Sequence, residues 1–351
     1  MTTHPSDAPS ITGTANAVLP SLQARFRGST PTTADQYFSE RQLNDRIGLQ
    51  SADHLWGWLN SGAGGIINGS STPMPSYKED RDVMFYRGQP NAGYALSSSL
   101  YRLCYQAQGN RVTEDMMHIA EQAILNEMRE QGLGRLMKDG ELLSVLQHHG
   151  IPTRLIDVSE RPHEALFFAV DRDDDTDGRL FLINLKPEPT GQHIIDLSVQ
   201  KALEWEDARR GTKQAKGDWT TRVAVDKGYV LDPRMHAQRG RFLVGGLIAS
   251  YPGMEMLRPG GRNLPAAERT SVTTLSISFP LRSTQLSKNW PATGWTVRIP
   301  AGWKRDLRSL LAEADPPITT DSMYPPVSEV RRLATRMAEQ AIRSSGRTAL
   351  Q

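Results

Sequence analysis

The stretch Glu141–Arg172, ELLSVLQHHGIPTRLIDVSERPHEALFFAVDR, carries the most structural information in the chain. It opens with leucines and a valine at helical spacing, and Gly150, followed two residues later by a proline, predicts the end of that helix. Thr153–Val158 alternates roughly as a short strand, and Ser159 can cap a second helix that contains the apolar run ALFFAV. The sequence therefore predicts a helix, a short strand and a second helix in close succession.

Polar side chains crowd the junctions of this predicted unit. They are Gln147, His148, His149, Thr153, Arg154, Asp157 and Ser159. Helix caps and turns do not require so many hydrogen-bonding groups, and binding sites are commonly built on loops that a rigid scaffold holds in place. We therefore expect a functional site at these junctions.

The composition is that of an ordinary globular protein. The chain has 351 residues, of which 38% are hydrophobic and 23% charged, and this length suits one large domain or two small ones. Its formal net charge of +2 argues against a protein whose main role is to coat a nucleic-acid backbone, although a local basic groove stays compatible with it. Low periodicity and many Ser, Thr, Pro and Ala residues predict a flexible arm at residues 1–33, and residues 344–351 read as a frayed C-terminus.

Cysteine content and hydropathy bear on the cellular compartment. Cys104 is the single cysteine, so the sequence predicts neither an intrachain disulfide nor a cysteine-based zinc site. No apolar run approaches the ~20 residues that a membrane span requires, and the N-terminus lacks the charged start and apolar core of a signal peptide. These features predict a cytoplasmic protein without a membrane partner.

A second candidate site precedes the central stretch. Val83–Tyr86 has the apolar and aromatic character of a strand, which places Arg87 at a strand end and Gly88 directly after it. Glycine lacks a Cβ and permits the close approach of another group, while arginine either pairs with a carboxylate or grips a phosphate or carboxylate ligand. Both interpretations of Arg87 stay open on spacing alone. Downstream, Arg102 lies beside a run of three serines.

Five blocks of the sequence resemble those of one known family. They are FYRGQ at Phe85–Gln89, LSSSLYR at Leu96–Arg102, QHHGIPTRLIDVSERPHEALFFAV at Gln147–Val170, HAQRGRFLV at His236–Val244 and DSMYPPVSEVRRLA at Asp321–Ala334. In this order they resemble the motifs of the FRG domain family, across roughly Ser51 to Met337. Val158 and Ser159 stand where that family usually has an aromatic residue and a threonine, and the terminal block has Pro-Pro-Val where the family favours an Asp-Leu-Asp-like run. The resemblance implies a single FRG-type domain at residues 34–343, with its core at about 51–337.

The FRG domain is similar in layout to the ADP-ribosyltransferase fold. This likeness implies an α+β protein with a mixed, split β-sheet core of ADP-ribosyltransferase type, flanked by helices. Such enzymes carry an Arg or His at the end of a first strand, a hydroxyl or aromatic on a second strand that is followed by a helix, and a Glu or Gln at the start of a later strand. Arg87, the strand Thr153–Ser159 with the helix after it, and Gln238 fall in that order here.

The resemblance also implies NAD as a substrate, with no metal. It implies catalytic roles for Arg87, Asp157 and Gln238. Because a glutamine orients ribose hydroxyls but cannot act as a general base, Asp157 is the alternative carboxylate. The implied cofactor-binding residues are Arg87, Gly88, Gln89, Gln147, His148, Thr153, Arg154 and Ser159.

Three functions stay open. The first is an NAD-dependent ADP-ribosyltransferase-like effector that modifies a macromolecule such as DNA or RNA in a toxin or phage-defence system, with an antitoxin or defence-system partner. The second is a non-catalytic module that binds a nucleotide or nucleic acid. The third is a metal-dependent nuclease that uses His148, His149 and Asp157, which the divergent directions of adjacent histidines disfavour. A purely structural pair of Arg154 and Asp157, with Arg87 in a buried network, is a further alternative.

Overall fold

The computed structural model describes residues 33–61, 83–185, 194–199, 223–227, 235, 237–248, 256–257, 261–281 and 290–324. The eight strands among them form one mixed sheet in the order β4-β5-β6-β2-β1-β3-β8-β7. In chain order the strands are β1 Val83–Gln89, β2 Ile156–Ser159, β3 Gly178–Leu185, β4 Ile194–Ile195, β5 Val223–Asp226, β6 Gly240–Gly245, β7 Ile277–Ser278 and β8 Ala292–Ile299. The central pairs are antiparallel, and only the edge pairs β4–β5 and β7–β8 are parallel.

The described helices are α1 Ala34–Ser39, α2 Ala52–Asn60, α3 Ser99–Gln108, α4 Glu114–Glu130, α5 Asp139–His148, α6 Pro162–Val170, α7 Ala266–Arg269, α8 Lys304–Ala312 and α9 Thr320–Met323. Ser51 and Thr113 cap α2 and α4 with their side chains, because each hydroxyl accepts a bond from a backbone N–H of the first turn. None of the described helices has the length and apolar character needed to cross a membrane. The predicted combination of helices with a mixed β-sheet is confirmed.

Strand β3 lies in the interior of the protein, and every one of its residues is buried. Phe181 and Ile183 pack into the same apolar cluster as Phe85, while Leu180 and Leu182 pack into a second cluster on the other face. An alternation with apolar residues on both faces requires cover on both sides of the sheet. The full pairing of β3 with β1 and with β8 makes these three strands the centre of the fold.

Helix α1 belongs to this core, since Tyr37 and Phe38 pack in the cluster that contains Phe85 and Phe181. The Phe38 ring contacts the Phe181 ring edge-on, with 5.0 Å between centroids. Helix α1 therefore contributes to the packed core of the described residues. The predictions for the arm at 1–32 and for everything after residue 324 lie outside the described residues.

Helix α6 lies against β1 and β3 at two glycines. A Cβ on Gly88 would come within 1.8 Å of the Ala165 carbonyl oxygen, and one on Gly178 would come within 2.4 Å of the Ala169 carbonyl oxygen. The sequence prediction that Gly88 permits the close approach of another group is correct, and the group that approaches is the α6 backbone. This contact brings α6 down on the centre of the sheet.

Strands β1 and β2 meet over a much shorter distance than their neighbours. Tyr86 pairs with Ser159, and the two fully described strands share no further residue pair. β2 instead pairs along its whole length with β6, from Ile156 to Ser159. The sheet therefore has its narrowest junction between β1 and β2, one residue before Arg87.

Three sequence-based predictions are wrong: the start of β2, the cap of the helix after it, and the position of Arg87 within β1. β2 begins at Ile156 and not at Thr153, because the Thr153 backbone N–H and carbonyl both bond to Ser99 on another element. α6 begins at Pro162, whose fixed φ suits a first helical position, and Ser159 ends β2 instead of capping the helix. Arg87 also lies inside β1 and not at its end, because Gln89 still pairs with Arg179.

The glycine contacts predict a strong and local packing effect. We expect Gly88→Ala to lower the free energy of unfolding by about 2 kcal/mol or more, because the added Cβ meets the α6 backbone, which cannot move aside cheaply. Gly57→Ala is the matched control, since a Cβ there meets nothing within 4 Å. It should stabilise helix α2 by roughly 0.5–1 kcal/mol. Urea unfolding curves measure both, and equal stability of Gly88→Ala and wild type would contradict the close packing.

Candidate functional site

Arg87 lies where β1 and β2 separate. Its Nη1 donates a hydrogen bond to the backbone oxygen of Asp157 at 2.5 Å and lies 3.8 Å from the Asp157 carboxylate. Burial lowers the pKa of Arg87, and the negative charge of Asp157 opposes that effect. The Arg87 Nε is buried and has no hydrogen-bond partner. The guanidinium is thus held at one nitrogen and has donors to spare.

The Asp157 carboxylate is exposed and oriented. Its side chain is 61% exposed, and its Oδ2 accepts a hydrogen bond from Gln147 Nε2 at 2.8 Å. Thr153 donates its hydroxyl proton to Gln147 Oε1 at 2.5 Å, which fixes the direction of the amide. Thr153 and Gln147 therefore act in series to position the carboxylate beside Arg87.

The start of α3 completes the site from the other side. The Ser99 hydroxyl accepts a bond from the Thr153 backbone N–H at 3.0 Å and donates to the Thr153 carbonyl at 3.2 Å. Arg102 Nη1 donates to the Ser97 carbonyl at 2.7 Å, and Gln89 Nε2 donates to the Ala95 carbonyl at 3.1 Å. We call the side chains at this site the polar ring. Its members are Arg87, Gln89, Ser99, Arg102, Gln147, Thr153 and Asp157. Hydrogen bonds link all of them except Gln89 and Arg102, which bond to backbone carbonyls of the segment before α3.

The comparison with family models finds this same segment. Residues 82–178 match the FRG domain. This chain contains an FRG domain. No curated protein and no solved structure matches the chain. The match runs from the residue before β1 to the first residue of β3, so the FRG domain includes every member of the polar ring.

Two members of the polar ring were not assigned a role from the sequence, Ser99 and Arg102. The only sequence signal was the run of serines before Arg102, and Ser98 in that run caps α3 by accepting a bond from the Tyr101 backbone N–H. The cap turns the chain so that Ser99 reaches Thr153. That contact joins residues 54 positions apart, and no local pattern predicts it.

Arg154 does not belong to the polar ring, and its predicted role in cofactor binding is corrected. It is 1% exposed, and it donates from Nε to Glu121 at 2.9 Å and from Nη1 to Glu114 at 2.5 Å. The second oxygen of Glu114 accepts the backbone N–H of Leu247. Arg154 therefore ties the segment before β2 to α4 within the FRG domain, and Glu114 continues the link to the chain after β6. The alternative of a structural pair with Asp157 is also wrong, since Asp157 pairs with Arg87.

Gln238 lies apart from the polar ring. Gly240 pairs with Ser159 and Phe242 with Asp157, so Gln238 lies beyond the Ser159 end of β2, on the side away from Asp157. Its Nε2 donates to the backbone oxygen of Met323 in α9 at 2.9 Å. The structure brings Arg87 and Asp157 together but does not bring Gln238 to them.

The remaining residues of the predicted cofactor site differ in how accessible they are. The space above Gly88 is filled by α6, and Ser159 is buried at the junction of β1, β2 and β6. His148 is half-buried at the end of α5, with its ring edge-on to His149 at 5.6 Å between centroids. Across the described residues, no three or more His, Cys, Asp or Glu side chains are grouped so as to hold a metal ion.

Arg154, Glu114 and Glu121 form a buried ion cluster outside the polar ring. Replacing Arg154 should therefore lower the stability of the fold without removing a residue of the polar ring. We expect Arg154→Met to cost about 3–5 kcal/mol of unfolding free energy, because it leaves two buried carboxylates without their cation. Adding Glu114→Gln and Glu121→Gln should recover part of the loss, since no unpaired charge then remains. Chemical unfolding of the single and triple variants measures this, and a single variant as stable as wild type would show that the ion cluster does not hold the fold.

Glu164 on α6 predicts a pH-dependent stability. Burial raises the pKa of its carboxyl, against the opposing charges of Arg161 and Arg239, and its Oε2 is buried without a hydrogen-bond partner. A raised pKa in the folded state means that the fold favours the protonated Glu164 carboxyl over the ionised one. The protonated carboxyl therefore stabilises the fold at acid pH, and this stabilisation is lost as the pH rises through the folded-state pKa.

We therefore expect Glu164→Gln to be more stable than wild type near neutral pH. The difference should vanish below the ordinary glutamate pKa of about 4.3. Urea midpoints across this pH range measure it. The exposed Glu313→Gln is the control and should change stability little at either end. A Glu164→Gln advantage that does not depend on pH would contradict the assignment.

Proposed function

We propose that this protein is an NAD-dependent ADP-ribosyltransferase-like enzyme that modifies a macromolecule such as DNA or RNA, in a toxin or phage-defence setting with an antitoxin or defence-system partner. The observation that carries the proposal is the pair of Arg87 and Asp157 at the point where β1 and β2 separate. A guanidinium with spare donors stands beside an exposed carboxylate that Gln147 orients.

The strand arrangement supports this proposal. The three strands that the resemblance singles out are β1, β2 and β6, and they are neighbours in the middle of the sheet in the order β6-β2-β1. β1 and β2 share a single residue pair, so beyond Tyr86 the two strands are joined by the Arg87 side chain and not by ladder pairing. A split core of ADP-ribosyltransferase type, with the dinucleotide lying across the β1–β2 junction, is the arrangement that we propose.

The residue types suit the chemistry. The unused donors of Arg87 suit a pyrophosphate or a ribose hydroxyl. When the bond between nicotinamide and ribose breaks, nicotinamide leaves with the bonding electrons and positive charge develops on the ribose. In the proposed reaction, the Asp157 carboxylate stabilises that charge. The nucleophilic oxygen or nitrogen of the acceptor then bonds to the ribose carbon and gives its proton to Asp157.

A second function is favoured by one specific observation. The Asp157 carboxylate already contacts Arg87 and Gln147, and Gln238 is held by α9 away from the polar ring. If Asp157 serves only to position Arg87, the FRG domain is a module that binds a nucleotide or nucleic acid without cleaving it.

Nicotinamide release from NAD tests the proposal. With DNA, RNA or cell extract as acceptor, we expect release by the wild type and a roughly 100-fold loss in Arg87→Ala and in Asp157→Asn, because each removes one electrostatic partner of the reacting ribose. Arg305→Ala and Asp306→Asn are matched controls, since both residues are exposed on α8. Unchanged release by Arg87→Ala would refute the proposal. Binding of NAD that depends on Arg87, without release in any mixture, would establish the binding module instead.

A further inference from the structure

The polar ring contains two arginines but only one carboxylate. Arg87 comes from β1, Arg102 comes from the first turn of α3, and Asp157 is the acidic member. The bond from Gln89 to the Ala95 carbonyl and the bonds between Ser99 and Thr153 hold β1 and the start of α3 side by side, so the two arginines lie on neighbouring elements. Partial burial lowers the pKa of Arg102, and the positive charge of Arg87 acts in the same direction, against Asp157 and Tyr94.

Both arginines are held in place by backbone carbonyls and not by side-chain carboxylates at bonding distance. Arg87 Nη1 donates to the Asp157 carbonyl, and Arg102 Nη1 donates to the Ser97 carbonyl at 2.7 Å. The remaining N–H groups of the two side chains have no acceptor in the part of the chain that the structure describes. A guanidinium has five donors in a rigid plane, so each side chain keeps most of its binding capacity.

The elements that carry the two arginines are fixed relative to each other. Ser99 bonds twice to the Thr153 backbone, and Thr153 leads through Gln147 to Asp157 and Arg87. On the other side, Gln89 donates to the Ala95 carbonyl and so ties β1 to the segment before α3. The scaffold therefore holds two arginines on neighbouring elements, β1 and α3, with Asp157 as the acidic member of the polar ring.

Two arginines on neighbouring elements concentrate positive charge at one place on the protein, which favours an anionic ligand there. Arginine binds phosphate through two parallel N–H bonds and is the side chain best suited to that geometry. Two guanidinium groups on separate elements suit a ligand with two linked anionic groups, of which a pyrophosphate is the simplest.

We propose that Arg87 and Arg102 form a two-arginine clamp for the pyrophosphate of a nucleotide, and that Arg102 is the residue that makes binding depend on the phosphates. The choice of ligand rests on the proposed function, since the dinucleotide substrate supplies such a group. The clamp itself needs only the phosphates, and it can be tested without any turnover.

The test is isothermal calorimetry of the full-length chain with ADP-ribose, inorganic pyrophosphate and adenosine. We expect Arg102→Gln to weaken the binding of ADP-ribose and of pyrophosphate at least tenfold and to leave adenosine binding unchanged. Arg102→Lys should restore part of the affinity, because it keeps the charge and loses the bidentate geometry. Arg111→Gln is the control, since Arg111 is an exposed arginine just beyond α3 and outside the polar ring, and it should bind as wild type.

Wild-type affinity of Arg102→Gln for ADP-ribose and pyrophosphate overturns the clamp. So does a wild type that binds neither of them. The fold is not at risk, because Arg102 is exposed, and unfolding curves of each variant check this. If ADP-ribose binding depends on Arg102 but no nicotinamide is released, the clamp is supported and the transferase activity is refuted. If nicotinamide is released and the KM for NAD is the same in Arg102→Gln and wild type, the clamp is refuted and the transferase activity is supported.

Discussion

The contact between the α6 backbone and two glycines on β1 and β3 is the constraint on which the site depends. Because Gly88 and Gly178 have no side chains, α6 packs directly on the centre of the sheet and covers Tyr86 and Leu180. Successive side chains of a strand point to opposite faces, so covering the face of Tyr86 and Gly88 leaves Arg87 on the other one. There the narrow β1–β2 junction keeps it partly exposed beside Asp157. A packing requirement at one residue thereby determines the chemical setting of its neighbour.

The arginines near the sheet differ in how many carboxylates lie beside their guanidinium groups. Arg154 lies between two carboxylates and is wholly structural, and Arg179 is buried with bonds to the Ala92 carbonyl, Thr296 and Asp35. Burial lowers the pKa of Arg179 to about 10, with the Asp35 charge opposing the shift. Arg87 lies 3.8 Å from the exposed carboxylate of Asp157, and Arg102 bonds to a backbone carbonyl. Their charges are therefore less completely balanced than those of Arg154 and Arg179.

The acidic turn between α6 and β3 fixes α8 to the centre of the sheet. Lys304 is fully buried and donates to the carbonyls of Pro90, Arg172 and Asp173, while Asp177 accepts from the Ala301 backbone. Burial lowers the pKa of Lys304, and nearby aspartates oppose that shift. A chain segment more than a hundred residues away thus stabilises the turn between α6 and β3. The acids of this turn serve helix docking, which leaves Asp157 as the acid that faces the arginines of the polar ring.

The sequence by itself determined the FRG domain, the strand containing Arg87 and the apolar helix that follows β2. These follow from local patterns: apolar periodicity and an ordered set of motifs. Only the tertiary structure decided that Arg154 is buried between acids, that Gln238 lies away from Arg87, and that Ser99 bonds to Thr153. Each of these outcomes depends on which element packs beside which, across many intervening residues. Spacing along the chain does not fix a strand's neighbours or the burial of a charge, because both are set by packing of the whole sheet.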